Sequence, residues 1–337
     1  MTDEYLERVR QANRQHQTRL IKHPDVVAVG VGTRVTGGQS TGESCVKLFV
    51  STKLPKELVA PERLLPTHLM LDESTPVATD IEESDPITAP PPNLVAGVLT
   101  RPAFSLIASP QLTTRQRPAF GGVSAAHCLF PAGTMSITAY DRLVPNLSYV
   151  LSCNHVLGLM NQARFGDAVL QPASGHGGTF PADSLASFAR FVQVSFDPNG
   201  TNKVDAAIAT VLAGTTTPYV YGIGAIPAVR RASGILPGEQ VQKVGSATGL
   251  TTGKIRAVDA IVNISYKPLG FNFPPAPYTA QILTTAMCIY GDSGSLLMDM
   301  SGNAVGMLMG GSQTVTIYNY MENVQDELGI FIAQALI

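Results

Sequence analysis

The sequence predicts a mainly β protein with a small α+β unit at its N-terminus. Charged residues are only 14% of the 337 residues, against about 25% in ordinary domains, so few solvated helices are expected. The 31 glycines and 24 prolines supply many turns. Short apolar runs alternate with these turns through most of the chain, a pattern typical of a β sandwich or of β barrels. A hydrophobic share of 45% is enough for a large core and excludes general disorder.

The N-terminal unit combines one helix with three strands. Residues 3–21 place spaced apolar side chains among charged neighbours, which predicts a surface helix. Residues 26–32 predict a buried strand, 46–50 its return strand across a Gly-Gly turn, and 77–81 a third strand. We therefore predict an α+β domain over residues 1–84.

A proline-rich segment follows this unit. Residues 85–118 include three consecutive prolines from Pro90 onward, and this composition predicts an extended linker. The rest of the chain, residues 119–337, predicts a second domain built from short strands. Only residues 320–337 predict a helix there.

Charge and cysteine usage exclude several classes of function. Lys+Arg 23 against Asp+Glu 25 gives a net charge of −2, which argues against a nucleic-acid partner, because such proteins carry a basic face. No apolar run reaches the about 18 residues of a membrane span, and the polar N-terminus lacks the apolar core of a signal peptide. We therefore expect no membrane partner and a cytoplasmic location. A homo-oligomer is left open.

The cysteines point to neither a metal site nor a disulfide framework. They are far apart and form no C-x-x-C pair, which would be typical of zinc. In a reducing compartment we predict free thiols, and we predict no metal and no other cofactor. The four residues are Cys45, Cys128, Cys153 and Cys288.

The sharpest motif is the run from Gly291 to Ser295, which reads Gly-Asp-Ser-Gly-Ser. Glycines on both sides of Ser293 allow a tight turn that a substrate can approach closely. Such a turn can aim the N–H groups of Gly291 and Ser293 at one point and form an oxyanion hole. A purely structural glycine-rich loop is the alternative.

A serine nucleophile needs a base, and the base needs an orienting acid. No histidine follows Ser293, which excludes the Ser, acid, His order of α/β-hydrolases. His155 lies directly after an apolar strand, and Asp205 begins another. A buried carboxylate is costly unless it is paired, and a histidine N–H is a suitable partner. The order His155, Asp205, Ser293 is that of the chymotrypsin-type catalytic triad.

These stretches carry a family resemblance. Residues 151–157, 204–211 and 291–295 resemble the trypsin-like serine peptidase superfamily. The chain also resembles the intracellular branch of this superfamily, which includes the plant Narrow Leaf protein and bacterial relatives. This likeness lies in residues 132–134, 166–172 and 243–253. The similarity spans about residues 117–330, and the N-terminal unit also resembles that branch's N-terminal module. The resemblance implies two six-stranded antiparallel barrels (chymotrypsin-like), with the triad in the cleft between them.

In that arrangement, His155 and Asp205 would come from the first barrel and Ser293 from the second. The resemblance also implies substrate-binding positions: Met287 near the base of the specificity pocket, and Met309, Gly310 and Gly311 as a wall that pairs with the substrate backbone. No Asp stands at the pocket base, so we expect a medium-sized apolar residue before the cleaved bond rather than Arg or Lys. Two departures, Cys153 and Ser295, leave the triad intact.

Several residues offer competing interpretations. His127 lies in an Ala-Ala-His-Cys run that is similar to the base motif of secreted trypsins. No completed hairpin precedes it, so we expect a turn or an interdomain contact ahead of the first barrel. Residues 175–178 are similar to the oxyanion loop of lipases, but a flexible loop is favoured. Asp167 lies close enough in sequence to pair with His155 instead of Asp205. The other alternative acids are Asp183, Asp197 and Asp259.

The sequence therefore predicts a serine endopeptidase that acts on a protein or peptide substrate through an acyl-enzyme. A catalytically silent peptide-binding scaffold and an esterase-like acyl hydrolase are the alternatives. The N-terminal unit is predicted to pack on the barrels and limit access to Ser293, or else to act only as a folding aid.

Overall fold

The computed structural model describes residues 3–89, 110–212, 214–266 and 273–333. The helices in these ranges are α1 (Asp3–Leu20), α2 (Asn154–Leu157) and α3 (Met321–Leu328). The strands of the N-terminal part are β1 (Val26–Thr36), β2 (Gln39–Val50), β3 (His68–Met70), β4 (Pro76–Glu83) and β5 (Thr88–Ala89). The next strands are β6 (Ala119–Gly121), β7 (Ala126–His127), β8 (Thr138–Asp141), β9 (Ser148–Ser152), β10 (Ala168–Leu170), β11 (Ser184–Phe191), β12 (Ala207–Val211), β13 (Thr216–Val220) and β14 (Gly224–Ala225). The last strands are β15 (Gln240–Gly245), β16 (Gly249–Tyr266), β17 (Ala276–Thr285), β18 (Leu296–Asp299), β19 (Ala304–Gly311), β20 (Val315–Tyr320) and β21 (Ile330–Phe331).

The prediction of a mainly β protein is confirmed. One sheet of seven strands runs in the order β21-β8-β9-β12-β11-β10-β7, and a small sheet runs β14-β13-β6. In the second large sheet, six neighbours follow the order β15-β18-β19-β20-β17-β16, and β15 also pairs with β16. This last pairing closes the six strands into a ring, which is a barrel. No helix among the described residues is long and apolar enough to cross a membrane.

The first helix and the first hairpin form where the sequence predicts them. Helix α1 covers nearly all of the predicted range, and β1 and β2 form the predicted hairpin. Gly37 and Gly38 close this hairpin with φ angles of 59° and 80°. A two-residue turn of this kind requires positive φ at both positions, so two consecutive glycines suit it.

The strands of this unit continue the barrel sheet. Strand β1 pairs antiparallel with β16, with Ala28 opposite Val262, and β2, β4 and β3 follow in order. Val9 and Ala12 of α1 are fully buried in the same apolar cluster as Val258. Sheet and core are thus shared between residues 3–83 and the barrel, and the division of the chain into domains stays a prediction.

The predicted linker begins with ordered structure. Ile87 and Ala89 are buried, and β5 pairs with both β16 and β19. The prolines at 90–92 lie outside the described residues. The described part of the segment resumes with a short 3₁₀ turn at Pro110–Leu112, where Leu112 is buried.

The helix near the C-terminus is shorter than predicted. Helix α3 ends at Gly329, which has a φ of 64°. Glycine adopts this left-handed conformation without strain, so it is a common helix stop. Ile330 and Phe331 then pair with β8, which places this end of the chain on the seven-stranded sheet.

Candidate active site

Two neighbouring strands bring His155 and Asp205 together. Strand β9 pairs with β12, with Ser152 opposite Ala207. His155 lies three residues beyond the first of these positions, in the single turn of α2, and Asp205 lies two residues before the second. The Nδ1 atom of His155 is 2.6 Å from Oδ2 of Asp205, and the His155 backbone N–H donates to Oδ1 at 3.2 Å. Both side chains are fully buried.

The six-stranded barrel supplies two further contacts to Asp205. The Tyr266 hydroxyl, at the end of β16, donates to Asp205 Oδ2 at 2.9 Å. The Asp205 backbone N–H donates to Oδ1 of Asn319 in β20 at 3.0 Å. The buried carboxylate therefore has hydrogen-bond partners on both oxygens, as a buried charge requires.

Ser293 lies in a turn that has a glycine with positive φ on each side of it, at positions 291 and 294. Gly291 has a φ of 103° and Gly294 a φ of 96°. A Cβ atom on Gly294 would collide with Ser152 Oγ and with the Thr134 carbonyl oxygen. The Thr134 N–H also donates to the Ser293 carbonyl at 2.8 Å. The turn is thus held against the seven-stranded sheet, at the end of β9.

One carbonyl oxygen connects this turn to the segment that carries His155. The Leu308 carbonyl, in β19, accepts the Gly294 N–H at 2.8 Å and the Cys153 thiol at 3.0 Å. Gly294 follows Ser293 directly, and Cys153 lies two residues before His155. The structure therefore brings the three predicted triad residues to one junction between the two large sheets.

Two side-chain atoms at this junction are left without a partner. Within the described residues, neither His155 Nε2 nor Ser293 Oγ has a hydrogen bond, although both atoms are buried. Buried polar atoms are nearly always hydrogen-bonded in native proteins, so each exception needs an explanation. These are the two atoms between which a catalytic triad transfers a proton.

The backbone at the turn can also stabilise a developing negative charge. No hydrogen bond to a described residue is donated by the backbone N–H of Gly291 or of Ser293. The Gly291 carbonyl accepts hydrogen bonds from Thr134 Oγ1 at 2.8 Å and Ser246 Oγ at 2.9 Å, which fixes the turn. The two N–H groups predicted to form an oxyanion hole thus lie in a fixed turn and have no acceptor among the described residues.

A buried ion pair holds the turn from the other side. Lys243 Nζ lies 3.2 Å from Asp292 Oδ2, and both side chains are fully buried. The Thr248 hydroxyl donates to the same oxygen at 2.8 Å, and the N–H groups of Ala247 and Thr248 donate to Oδ1 at 3.1 Å. Removing one partner of such a pair costs about 3–5 kcal/mol. Sequence reasoning missed this ion pair, although a lysine between the apolar Val241 and Val244 is a usable signal.

The predicted substrate-binding residues lie in two places. Met309, Gly310 and Gly311 are buried in β19, and Gly311 pairs with Thr88 of β5. A Cβ atom on Gly310 would lie 2.6 Å from the Thr88 carbonyl oxygen. Met287 is fully buried in the apolar cluster under the barrel. Strand β5 thus lies on the edge of β19, where the family resemblance predicts that the substrate backbone pairs.

The competing histidines and acids are engaged elsewhere. The expectation that His127 precedes the first barrel is wrong, because β7 pairs with β10 inside the seven-stranded sheet. This pairing spans more than 40 residues, so no local hairpin announces it. His127 Nε2 lies 3.1 Å from Asp167 Oδ2, and Asp167 is therefore not the partner of His155. His176 Nδ1 lies 2.7 Å from the Ser124 hydroxyl. The remaining acids accept from Thr179 (Asp183), Asn199 (Asp197) and Tyr320 (Asp259).

The junction also brings one thiol close to the histidine and the carboxylate. The ligand atoms of Cys153, His155 and Asp205 lie within 4.8 Å of one another. Burial, and then the charge of Asp205, raises the pKa of the Cys153 thiol well above its usual value. A metal would require the thiolate, whereas this thiol donates a hydrogen bond to the Leu308 carbonyl. The donor set fits the hydrogen-bond network better than a metal.

Among the comparisons with known proteins, only the one with solved structures found matches. No family model and no curated protein matches the chain. It is similar to Protease A of Thermobifida fusca, with 17% identity over 63% of this chain and 96% of that one and a TM-score of 0.43. It is similar to Cellulomonas bogoriensis chymotrypsin, with 19% identity, the same two coverages and a TM-score of 0.43. The active form of the Rv3671c protease from M. tuberculosis gives 17% identity over 72% and 97% of the two chains and a TM-score of 0.37. All three names describe proteases.

Proposed function

We propose that this protein is a serine endopeptidase with His155, Asp205 and Ser293 as its catalytic triad. One observation carries the proposal: a buried His155–Asp205 pair lies at the junction where two buried atoms, His155 Nε2 and Ser293 Oγ, have no hydrogen-bond partner among the described residues. The backbone N–H groups of Gly291 and Ser293 complete the set of groups that acyl transfer requires.

The mechanism follows from these positions. Ser293 Oγ attacks the carbonyl carbon of the peptide bond while His155 Nε2 takes its proton, and the Gly291 and Ser293 N–H groups bind the oxyanion. Asp205 holds the His155 tautomer with its proton on Nδ1 and stabilises the imidazolium. His155 then gives the proton to the leaving amine, and an acyl-enzyme on Ser293 remains. Water, activated by His155, releases the acyl group.

A second candidate function is supported by the burial of the site. The side chains of both His155 and Ser293 are fully buried, and the β19 edge is occupied by β5. A catalytically silent protein that keeps this fold would show the same burial. The peptidase proposal has three further parts. We propose that the protein belongs to the intracellular branch of the superfamily, that it prefers an apolar residue before the cleaved bond, and that it acts in the cytoplasm.

Labelling with an alkyl fluorophosphonate separates the two functions. The peptidase should form a covalent adduct that tandem mass spectrometry locates on Ser293 alone, because only an activated serine displaces fluoride. The labelled protein should lose its hydrolysis of a peptide substrate in proportion to the adduct formed. An unlabelled, correctly folded protein would favour the silent scaffold. Ester hydrolysis without any peptide hydrolysis would favour an acyl hydrolase instead.

A further inference from the structure

Asp205, the orienting carboxylate of the proposed triad, receives a hydrogen bond from the six-stranded barrel. Tyr266 ends the long strand β16, whose first residues form part of the closed six-stranded ring. Its hydroxyl lies 2.9 Å from Asp205 Oδ2, the same oxygen that His155 Nδ1 contacts. Its ring lies 5.9 Å from the His155 ring, centroid to centroid. The side chain is fully buried.

A second phenol determines which way the protons point. The hydroxyl oxygens of Tyr266 and Tyr278 lie 2.7 Å apart. The Asp205 carboxylate can only accept, and Tyr266 has a single hydroxyl proton. Since that proton is directed to the carboxylate, Tyr278 must supply the proton between the two phenols.

Both phenols keep their protons under working conditions. Burial first, and then the charge of Asp205, raises the pKa of Tyr266 and of Tyr278 well above the usual value. The other titratable group beside His155 and Asp205 is the Cys153 thiol, which burial also keeps protonated. The ring of Phe130 contacts His155 from the remaining side and carries no charge.

We propose that Tyr266 is a positioning residue that fixes the Asp205 carboxylate and tunes how strongly it attracts a proton on His155. This inference rests on the proposed function. A hydrogen bond to a carboxylate stabilises its charged form, so the phenol draws electron density from the oxygen that holds His155. Without it, the carboxylate would stabilise the imidazolium more strongly. His155 would then need a higher pH to become a free base.

The test compares two buried tyrosines that each contact a carboxylate. Tyr266→Phe should lower kcat/KM about tenfold, because the carboxylate that orients His155 loses a hydrogen bond that holds it in place, and a hydrogen bond to a charged group is worth about this much. It should also move the acid limb of the kcat/KM profile by about 0.5–1 pH unit toward higher pH. Tyr320→Phe removes an equally buried hydroxyl, 3.1 Å from Asp259 Oδ1, and should leave the profile in place. A Tyr266→Phe profile that superimposes on the wild type would overturn the proposal.

A titration of His155 followed by NMR keeps this test independent of turnover. The midpoint of the His155 signal should rise in Tyr266→Phe and stay unchanged in Tyr320→Phe. If the wild type hydrolyses nothing and Ser293 takes no label, the proposed function fails, whereas a raised midpoint still supports the role of Tyr266. An unmoved midpoint overturns that role whether or not the protein is a peptidase.

A second, independent observation concerns strand β5. One edge of β19 pairs with β20. Along the other edge, β18 pairs first, and then Leu308 exchanges hydrogen bonds with Gly294 and Ser295 at 2.8 and 2.9 Å. Gly311, three residues farther on, pairs antiparallel with Thr88. Strand β5 therefore continues the edge on which the nucleophile turn lies.

The chain anchors this strand on both sides. It lies between β19 and the end of β16, where it pairs with Ser265 and Tyr266. Upstream of it, the buried Ser84 donates its N–H to the Val50 carbonyl at 2.8 Å and accepts a hydrogen bond from Thr314 at 3.1 Å. Ala89 is fully buried. An extended peptide could pair with this edge only if β5 left it.

We infer that β5 competes with substrate for the β19 edge and restrains the proposed peptidase. A tethered segment has an effective concentration in the millimolar range, so a weakly binding substrate meets a strong intramolecular competitor. This inference deepens the predicted restraint by the N-terminal unit and likewise rests on the proposed function. Removing residues 1–84 would not test it cleanly, because β1 pairs with β16 and shares its core.

A single-residue change tests it in the full chain. Thr88→Pro removes a backbone N–H from a strand with neighbours on both edges, which prolines rarely occupy. It should raise kcat/KM for an extended reporter peptide at least tenfold, while Thr88→Ser, which keeps both the N–H and the hydroxyl, should match the wild type. Equal kcat/KM values for the proline variant and the wild type would overturn the restraint.

Hydrogen exchange on the wild type covers the case in which the proline variant does not fold. A peptidyl fluorophosphonate anchored on Ser293 should lower the protection of the Thr88 and Ala89 amides, because its peptide part displaces β5. Unchanged protection after complete labelling would overturn the restraint and leave the peptidase standing. If Ser293 takes no label from either the small or the peptidyl reagent, the peptidase and its restraint fail together.

Discussion

Ser293→Ala is expected to lower kcat for peptide hydrolysis by about 10⁶ while leaving the protein as stable as the wild type. The loss is large because the triad acts as a unit, so without the nucleophile only the oxyanion hole and substrate binding remain. Stability should not change, since Ser293 Oγ makes no hydrogen bond to a described residue and alanine leaves the backbone of the turn intact. Steady-state kinetics and a thermal melt measure the two effects.

Ser136 offers a matched control for this variant. Its hydroxyl is also fully buried and without a partner among the described residues, and its backbone N–H donates to the Leu151 carbonyl of β9 in the seven-stranded sheet. Ser136→Ala should retain wild-type turnover, which shows that the loss belongs to the position and not to a missing buried hydroxyl. More than a tenth of the wild-type rate in Ser293→Ala would exclude Ser293 as the nucleophile.

The predicted pairing of His155 with Asp205 depended on order along the chain and on the cost of burying a charge. Both signals are local to a strand end, and both can be found in the sequence. The adjacency of β9 and β12, which produces the 2.6 Å contact, follows from pairing between strands about 55 residues apart. The sequence indicated which residues needed partners, and the sheet order determined how they met.

Tyr266 and Asn319 were missed for the same physical reason. Their contacts with Asp205 span 61 and 114 residues. A tyrosine or an asparagine at the end of a strand is unremarkable by itself, and nothing within a short window indicates that a carboxylate lies opposite. Partners of this kind are found only once the barrels are assembled.

The segment after residue 84 shows how composition can mislead. Its prolines predict an extended and solvated linker, but Ile87 and Ala89 are buried. Strand β5 has two residues, and only their backbone N–H and C=O groups are needed for pairing. Prolines before and after the strand therefore do not prevent it. Average composition cannot resolve an element this short.

His127 and His155 have nearly the same local chemistry. Each is buried and each contacts an aspartate, at 2.6 Å for His155 and 3.1 Å for His127. They differ in their second ring nitrogen. His127 Nδ1 accepts the Leu129 N–H at 3.1 Å, so both of its nitrogens are engaged, whereas His155 Nε2 has no partner among the described residues. Only His155 has a nitrogen available to take a proton from a nucleophile.

His155→Ala should therefore lower kcat about as much as Ser293→Ala, and the double variant should be no slower than either single one, because residues of one triad are not additive. His127→Ala should stay within a few-fold of the wild-type kcat and should instead lower the melting temperature, since it leaves the Leu129 N–H without its acceptor. Kinetics and thermal melts on the wild type and the four variants measure these effects. Full activity in His155→Ala, together with a collapse of activity in His127→Ala, would show that the base is the other histidine. A double variant much slower than both single variants would show that His155 and Ser293 do not act in the same step.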